Sequence, residues 1–128
     1  MVKMQNKYKL TTTKKVVNGI TLYRIEALQD FADVSKGDKG GYVQSEKNLS
    51  QEGRCWLYDD SCVYGDAVVS ENATLHDDAC AYGNSTIKGY CRVHDEAVIC
   101  GNALLAGPTY VSGSVKLERG VYIGKNIS

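Results

Sequence analysis

From Cys55 onward the chain is written in units of six: CWLYDD, SCVYGD, AVVSEN, ATLHDD, ACAYGN, STIKGY, CRVHDE, AVICGN, ALLAGP, TYVSGS, VKLERG and VYIGKN, with Ile127-Ser128 opening a further unit. Read in this frame, the twelve hexads contain neither insertion nor deletion. The third position is Leu, Val or Ile in eleven of twelve, Ala81 being the exception. The first is Ala, Ser, Cys or Thr in ten, and Val115 and Val121 depart from it. A strict period of six fits neither an α-helix, at about 3.6 residues per turn, nor an antiparallel sandwich, whose turns recur every 8 to 12 or so residues.

Each preference has a physical cause. Strand side chains alternate, so positions one and three face inward while position two faces out. One small and one branched inward residue fill a narrow interior. Gly holds the fifth position in six units, and Asp, Asn or Glu the sixth in eight. Those residues suit a corner that needs positive φ or a side chain that bonds nearby backbone. Each hexad is therefore a short strand followed by a corner.

The pattern resembles the hexapeptide repeat of left-handed parallel β-helices, in which three hexads make one triangular coil. Upstream, Leu22-Tyr23-Arg24-Ile25-Glu26-Ala27-Leu28, Asp30-Phe31-Ala32-Asp33-Val34, Gly40-Gly41-Tyr42-Val43 and Asn48-Leu49-Ser50-Gln51-Glu52-Gly53 precede Cys55-Trp56-Leu57-Tyr58. That order of motifs resembles a bacterial and prophage family with hexapeptide repeats, some members of which carry acyltransferase names by analogy. The expected fold is all-β: a left-handed parallel β-helix of about four coils over residues 55–128, behind an N-terminal β cap over residues 1–54. Asn18-Gly19 between apolar runs predicts a hairpin within the cap. The cap covers one end of the interior. Val115, Leu117, Val121, Ile123 and Ile127 then form an apolar opposite end, which predicts a homo-oligomer joined end to end as a dimer, with a trimer as the alternative.

Fifteen Lys/Arg balance fifteen Asp/Glu. A net charge of zero argues against a polybasic nucleic-acid binder, but the charge is segregated: +4 over residues 1–54, −6 over 55–102 and +2 over 103–128. Stacking at a stride of eighteen gathers the negative part on one edge, with Tyr58-Asp59-Asp60 under His76-Asp77-Asp78 under His94-Asp95-Glu96. Neighbouring carboxylates about 5 Å apart repel by about 1 kcal/mol even in water, so such an edge needs compensation by cations, a basic partner, the basic cap or solvent. The same stride stacks Tyr64 on Tyr82, Cys62 on Cys80, and Trp56, Thr74, Arg92 and Tyr110 on an outer face.

Three functions are compatible with this surface. One is a non-catalytic interaction protein of phage or prophage origin, its acidic, Tyr-bordered edge fitting a basic host protein by contact or by DNA mimicry, with no direct nucleic-acid or membrane binding. A second, implied by the resemblance, is a small acyltransferase with His76 or His94 as general base. The third is a self-assembling structural module. No cofactor is expected, and two stacked histidines without a third argue against zinc. No signal peptide or membrane span is recognisable, which predicts the (host) cytoplasm. There the five cysteines, with neither CxxC nor an even framework, are expected to be reduced.

Overall fold

The computed structural model describes residues 6–128. Residues 55–128 wind around three flat parallel sheets, as the hexads predict. The first face stacks β4 (Trp56–Leu57), β7 (Thr74–Leu75), β10 (Arg92–Val93), β13 (Tyr110–Val111) and β16 (Asn126–Ile127). The second stacks β5 (Cys62–Val63), β8 (Cys80–Ala81), β11 (Val98–Ile99) and β14 (Lys116–Leu117). The third stacks β6 (Val68–Val69), β9 (Thr86–Ile87), β12 (Leu104–Ala106) and β15 (Val121–Ile123). Through three coils partners differ by eighteen: Trp56 lies beside Thr74, Thr74 beside Arg92, and Arg92 beside Tyr110.

The interior is three aliphatic columns. Leu57, Leu75, Val93 and Val111 fill one face, Val63, Ala81 and Ile99 the next, and Val69, Ile87 and Leu105 the third, all with 0% exposure. Each buried Leu, Ile or Val contributes about 2 kcal/mol, and Ala81 well under half of that. The small first-position residues lie at the inner corners, and where they carry a hydroxyl it bonds the carbonyl three residues back: Ser61 to Tyr58, Ser85 to Tyr82, Thr109 to Ala106. That explains why Ser and Thr substitute for Ala in a dry interior.

Two departures from the hexad frame bound this regular region. Upstream, β3 (Lys39–Val43) joins the second face in parallel, Tyr42 beside Cys62 and Val43 beside Val63, and Leu49 bridges to Val69 on the third face. Stacking thus begins at GYVQSE and KNLSQE, inside the segment assigned to the cap, and the offset of twenty places two extra residues at the corner before Cys55. Gly41 is required there, since a Cβ would stand 2.2 Å from the Ser61 carbonyl oxygen.

Downstream, Leu104 pairs with Val121 and Tyr110 with Asn126. The final coil is therefore one residue short at each of two corners, a correction to the unbroken frame. The left-handed corner positions move to Gly120 (φ 102°) and Gly124 (φ 68°), out of the fifth hexad position. Tyr122, instead of Ile123, takes the inward place beside Leu105 and packs on the core. Val121 and Ile123 face outward, 62% and 58% exposed. Of the residues expected at an apolar end, Leu117 is buried, while Val115 and Ile127, like Tyr122, are half-buried against the core. This last turn shields the interior.

At the other end β1 (Tyr8–Val17) and β2 (Ile20–Ala27) form an antiparallel hairpin continued by β3. Asn18 and Gly19 both have positive φ, as a two-residue hairpin turn demands. Trp56 occupies an outward position yet is 2% exposed, because Phe31 and Tyr8 cover it edge-on at 5.2 and 6.3 Å.

Candidate functional site

The first face carries a groove. The outward side chains of that face, Thr74, Arg92 and Tyr110, form the floor of this open groove of about 470 Å³. Tyr58 and His76 line one side, Arg54, Asn72 and Tyr90 line the other, and Ala32 and Asp33 close one end. The strands set this spacing: Thr74, Arg92 and Tyr110 are successive rungs, and Arg54, Asn72 and Tyr90 are successive sixth-position residues.

The wall is an aromatic stack. Tyr58 lies on His76 with ring centres 4.5 Å apart and planes 3° off parallel, and His76 lies on His94 at 4.3 Å and 6°. His76 Nε2 is 2.9 Å from Thr74 Oγ1. Burial, with the second histidine adding to it, holds the His76 pKa below the ordinary 6.5, so its imidazole is neutral near pH 7. His94 lies outside the groove, with Nδ1 4.0 Å from Asp77 Oδ2. The Tyr58 hydroxyl donates to Asp33 Oδ1 at 2.5 Å, tying the wall to the loop. Burial and that carboxylate raise the phenol pKa.

The acidic edge is brought together as the stride predicts, but its charge has a use inside the chain. Asp59, Asp77 and Asp95 all adopt positive φ, at 56°, 58° and 60°. The Asp77 N–H donates to Asp59 Oδ2 at 2.9 Å, the Asp95 N–H to Asp77 Oδ2 at 3.0 Å, and the Gly113 N–H to Asp95 Oδ2 at 2.8 Å. Each carboxylate thus caps the corner of the next coil, a compensation absent from the four that sequence suggests. Asp60 accepts from Arg24 at 2.7 Å, so the basic cap neutralises one more. The Asp78 and Glu96 side chains stay exposed. Among the described residues no group of three or more His, Cys, Asp or Glu is placed to hold a metal ion.

Arg54 and Arg92 are the groove's distinctive groups. Both are exposed, and among the described residues neither guanidinium is ion-paired. Reading the sequence at a stride of eighteen placed Arg92 and Tyr110 on this face but missed Arg54, Asn72 and Tyr90, which the same stride would have collected from the sixth positions. The contribution of Asp33 depends on how the 28–36 loop folds over Trp56, which no periodic pattern encodes.

Repeat and fold together define the class: the chain is a hexapeptide-repeat parallel β-helix protein. No protein-family model matches it. Over 69 residues, 53% of its length, it is 41% identical to a protein of Escherichia coli (strain K12) named "Uncharacterized acetyltransferase YdcK". The chain spans 20% of that relative's length. No helix among the described residues is long and apolar enough to cross a membrane.

Proposed function

We propose that the protein is a rigid binding module whose first face holds a small anionic ligand, a phosphate or carboxylate carrying a flat apolar portion. The observation that carries this reading is the pair Arg54 and Arg92, two guanidiniums without carboxylate partners among the described residues, lining one groove. A planar guanidinium binds phosphate and carboxylate through two parallel hydrogen bonds, and among the described residues neither here is held in an ion pair. Tyr90, Tyr110 and the Tyr58–His76 stack supply flat surfaces for the apolar part. A floor built from stacked strands loses little freedom on binding. Titration calorimetry with phenyl phosphate tests the reading. Arg54→Ala and Arg92→Ala should each weaken binding about tenfold, roughly 1.4 kcal/mol, with exposed Lys88→Ala as the unchanged control. Absence of binding, or binding indifferent to both arginines, overturns it.

The name of the relative and the position of His76 favour a second reading, acyl transfer. A neutral imidazole lining the groove can take a proton from an acceptor hydroxyl or amine, while the arginines hold the phosphates of an acyl-CoA donor. Release of free CoA thiol in the presence of acetyl-CoA, abolished by His76→Ala with binding retained, would establish it. Binding with no turnover under any acceptor tried would leave the module non-catalytic.

A further inference from the structure

On the second face, away from the groove, Cys62 and Cys80 are directly paired residues of adjacent parallel strands. Their sulfurs are 2.8 Å apart with both thiols free. Neighbouring strands lie about 4.8 Å apart, inside the Cα range of roughly 4.4–6.8 Å that a disulfide spans. The pair sits in an apolar patch of Leu22, Tyr42 and Tyr64, edged by Val17 and Ile20 of the hairpin and by Tyr82. Asn18 at the hairpin tip donates to the Tyr64 hydroxyl at 2.9 Å, fixing the hairpin beside the sulfurs. Cys62 is 6% exposed and Cys80 is half-buried, so Cys80 is the sulfur a small reagent meets first.

We propose that Cys62 and Cys80 are a thiol–disulfide exchange site, closed by a low-molecular-weight disulfide into a covalent staple between the first and second coils. In the first step the pair gives up one proton, the remaining proton passes along the sulfur–sulfur hydrogen bond to Cys62 Sγ, and the Cys80 Sγ thiolate attacks one sulfur of the reagent. A mixed disulfide forms and one reagent thiol leaves. Cys62 Sγ then attacks Cys80 Sγ and displaces the second reagent thiol. Two protein thiols are oxidised, one reagent disulfide is reduced to two thiols, and the two protein protons end on those leaving groups. Two further features favour the chemistry. The hydrogen bond between the two sulfurs stabilises one thiolate within the pair: it lowers the Cys62 pKa and raises that of Cys80, so the pair's first proton leaves Cys62, and the proton shared along the 2.8 Å contact carries the charge to the more exposed Cys80. The Lys15 ammonium, 4.2 Å from the centre of the Tyr42 ring that borders Cys62, supplies positive charge nearby. Cys55 and Cys91, buried in the main core, have no thiol neighbour of this kind.

The test is incubation of the whole chain with oxidised glutathione, followed by alkylation, intact mass and peptide mapping. The expected product has lost two hydrogens, carries two fewer alkylatable thiols, and yields a peptide joining residues 62 and 80. Its thermal midpoint should rise by about 10 °C, since a loop of this size is closed, and fall back with dithiothreitol. Cys62→Ala should stop at a glutathione adduct on Cys80, and Cys80→Ala should leave Cys62 largely unmodified. A wild-type product that stays a glutathione adduct, a different cross-link, or five unmodified thiols would each overturn the proposal. Circular dichroism of both variants identifies any that fails to fold, and for such a variant the wild-type peptide map alone decides.

Discussion

At the scale of single residues, the most informative side chains are the three aspartates in left-handed corners. Aspartate tolerates that conformation, and its carboxylate here accepts the N–H of the corner above it. Asp77→Asn keeps both properties and should change stability by less than about 0.5 kcal/mol. Asp77→Ala loses the acceptor and strains φ, for about 1–2 kcal/mol. Urea unfolding of the two variants side by side checks this. His76 gives the molecule a pH dependence. Because its folded pKa lies below the unfolded value of 6.5, the unfolded chain binds more protons between those two values. Stability therefore falls as pH drops through that window and levels off beneath it. Replacing it with a ring that does not titrate, His76→Phe, should flatten the decline in urea midpoint between about pH 7 and pH 5 while preserving the stack. Neither aspartate ladder nor lowered histidine was legible as such. Sequence shows which residues share a column, but not whether a carboxylate turns toward solvent or toward the amide above it.

Among the elements, the strands were legible and their ends were not. A third-position aliphatic residue every six places is enough to position β4 to β14, because a one-residue slip would turn each inward side chain out. Tyr122 shows the same rule acting against the expected frame. In the last coil, glycines at positions 120 and 124 set the corners, and the strand between them shifts to suit, exposing Val121 and Ile123. The signal was present in the displaced glycines, though weaker than the aliphatic pattern running through them. Upstream, Val43 and Leu49 are six apart and extend the Val63 and Val69 columns respectively, but the two-residue excess before Cys55 breaks the frame and hides them. The close passage at Gly41 yields a direct test: Gly41→Ala should cost about 2 kcal/mol, because the Ser61 carbonyl beside it belongs to a paired corner that cannot retreat. A loss of less than about 0.5 kcal/mol in the urea-unfolding free energy would mean the corner is pliable.

For the molecule as a whole, stability is a sum over neighbouring coils. The interior coils bury their columns completely, whereas the final one is short, with half-buried Val115, Tyr122 and Ile127. Hydrogen exchange should accordingly be slowest at Val93 and Ile99, and faster by at least an order of magnitude at Tyr110 and Ser112, whose amides bond the last coil. Uniform protection would show that the chain opens as one unit. The overall architecture was readable because it is one rule repeated. The groove was readable in part, since its floor and walls obey the stride while the loop at its end does not. The irregularities at residues 50–55 and 118–125 also make the molecule modular. Between them every coil is interchangeable in length and corner chemistry, so excising residues 73–90 would join Asn72 to Cys91 with every remaining column intact. A shortened protein of this kind would keep both of its closures and lose one graduation from the face that bears the arginines, which makes the length of that face a quantity that can be dialled in steps of a single coil.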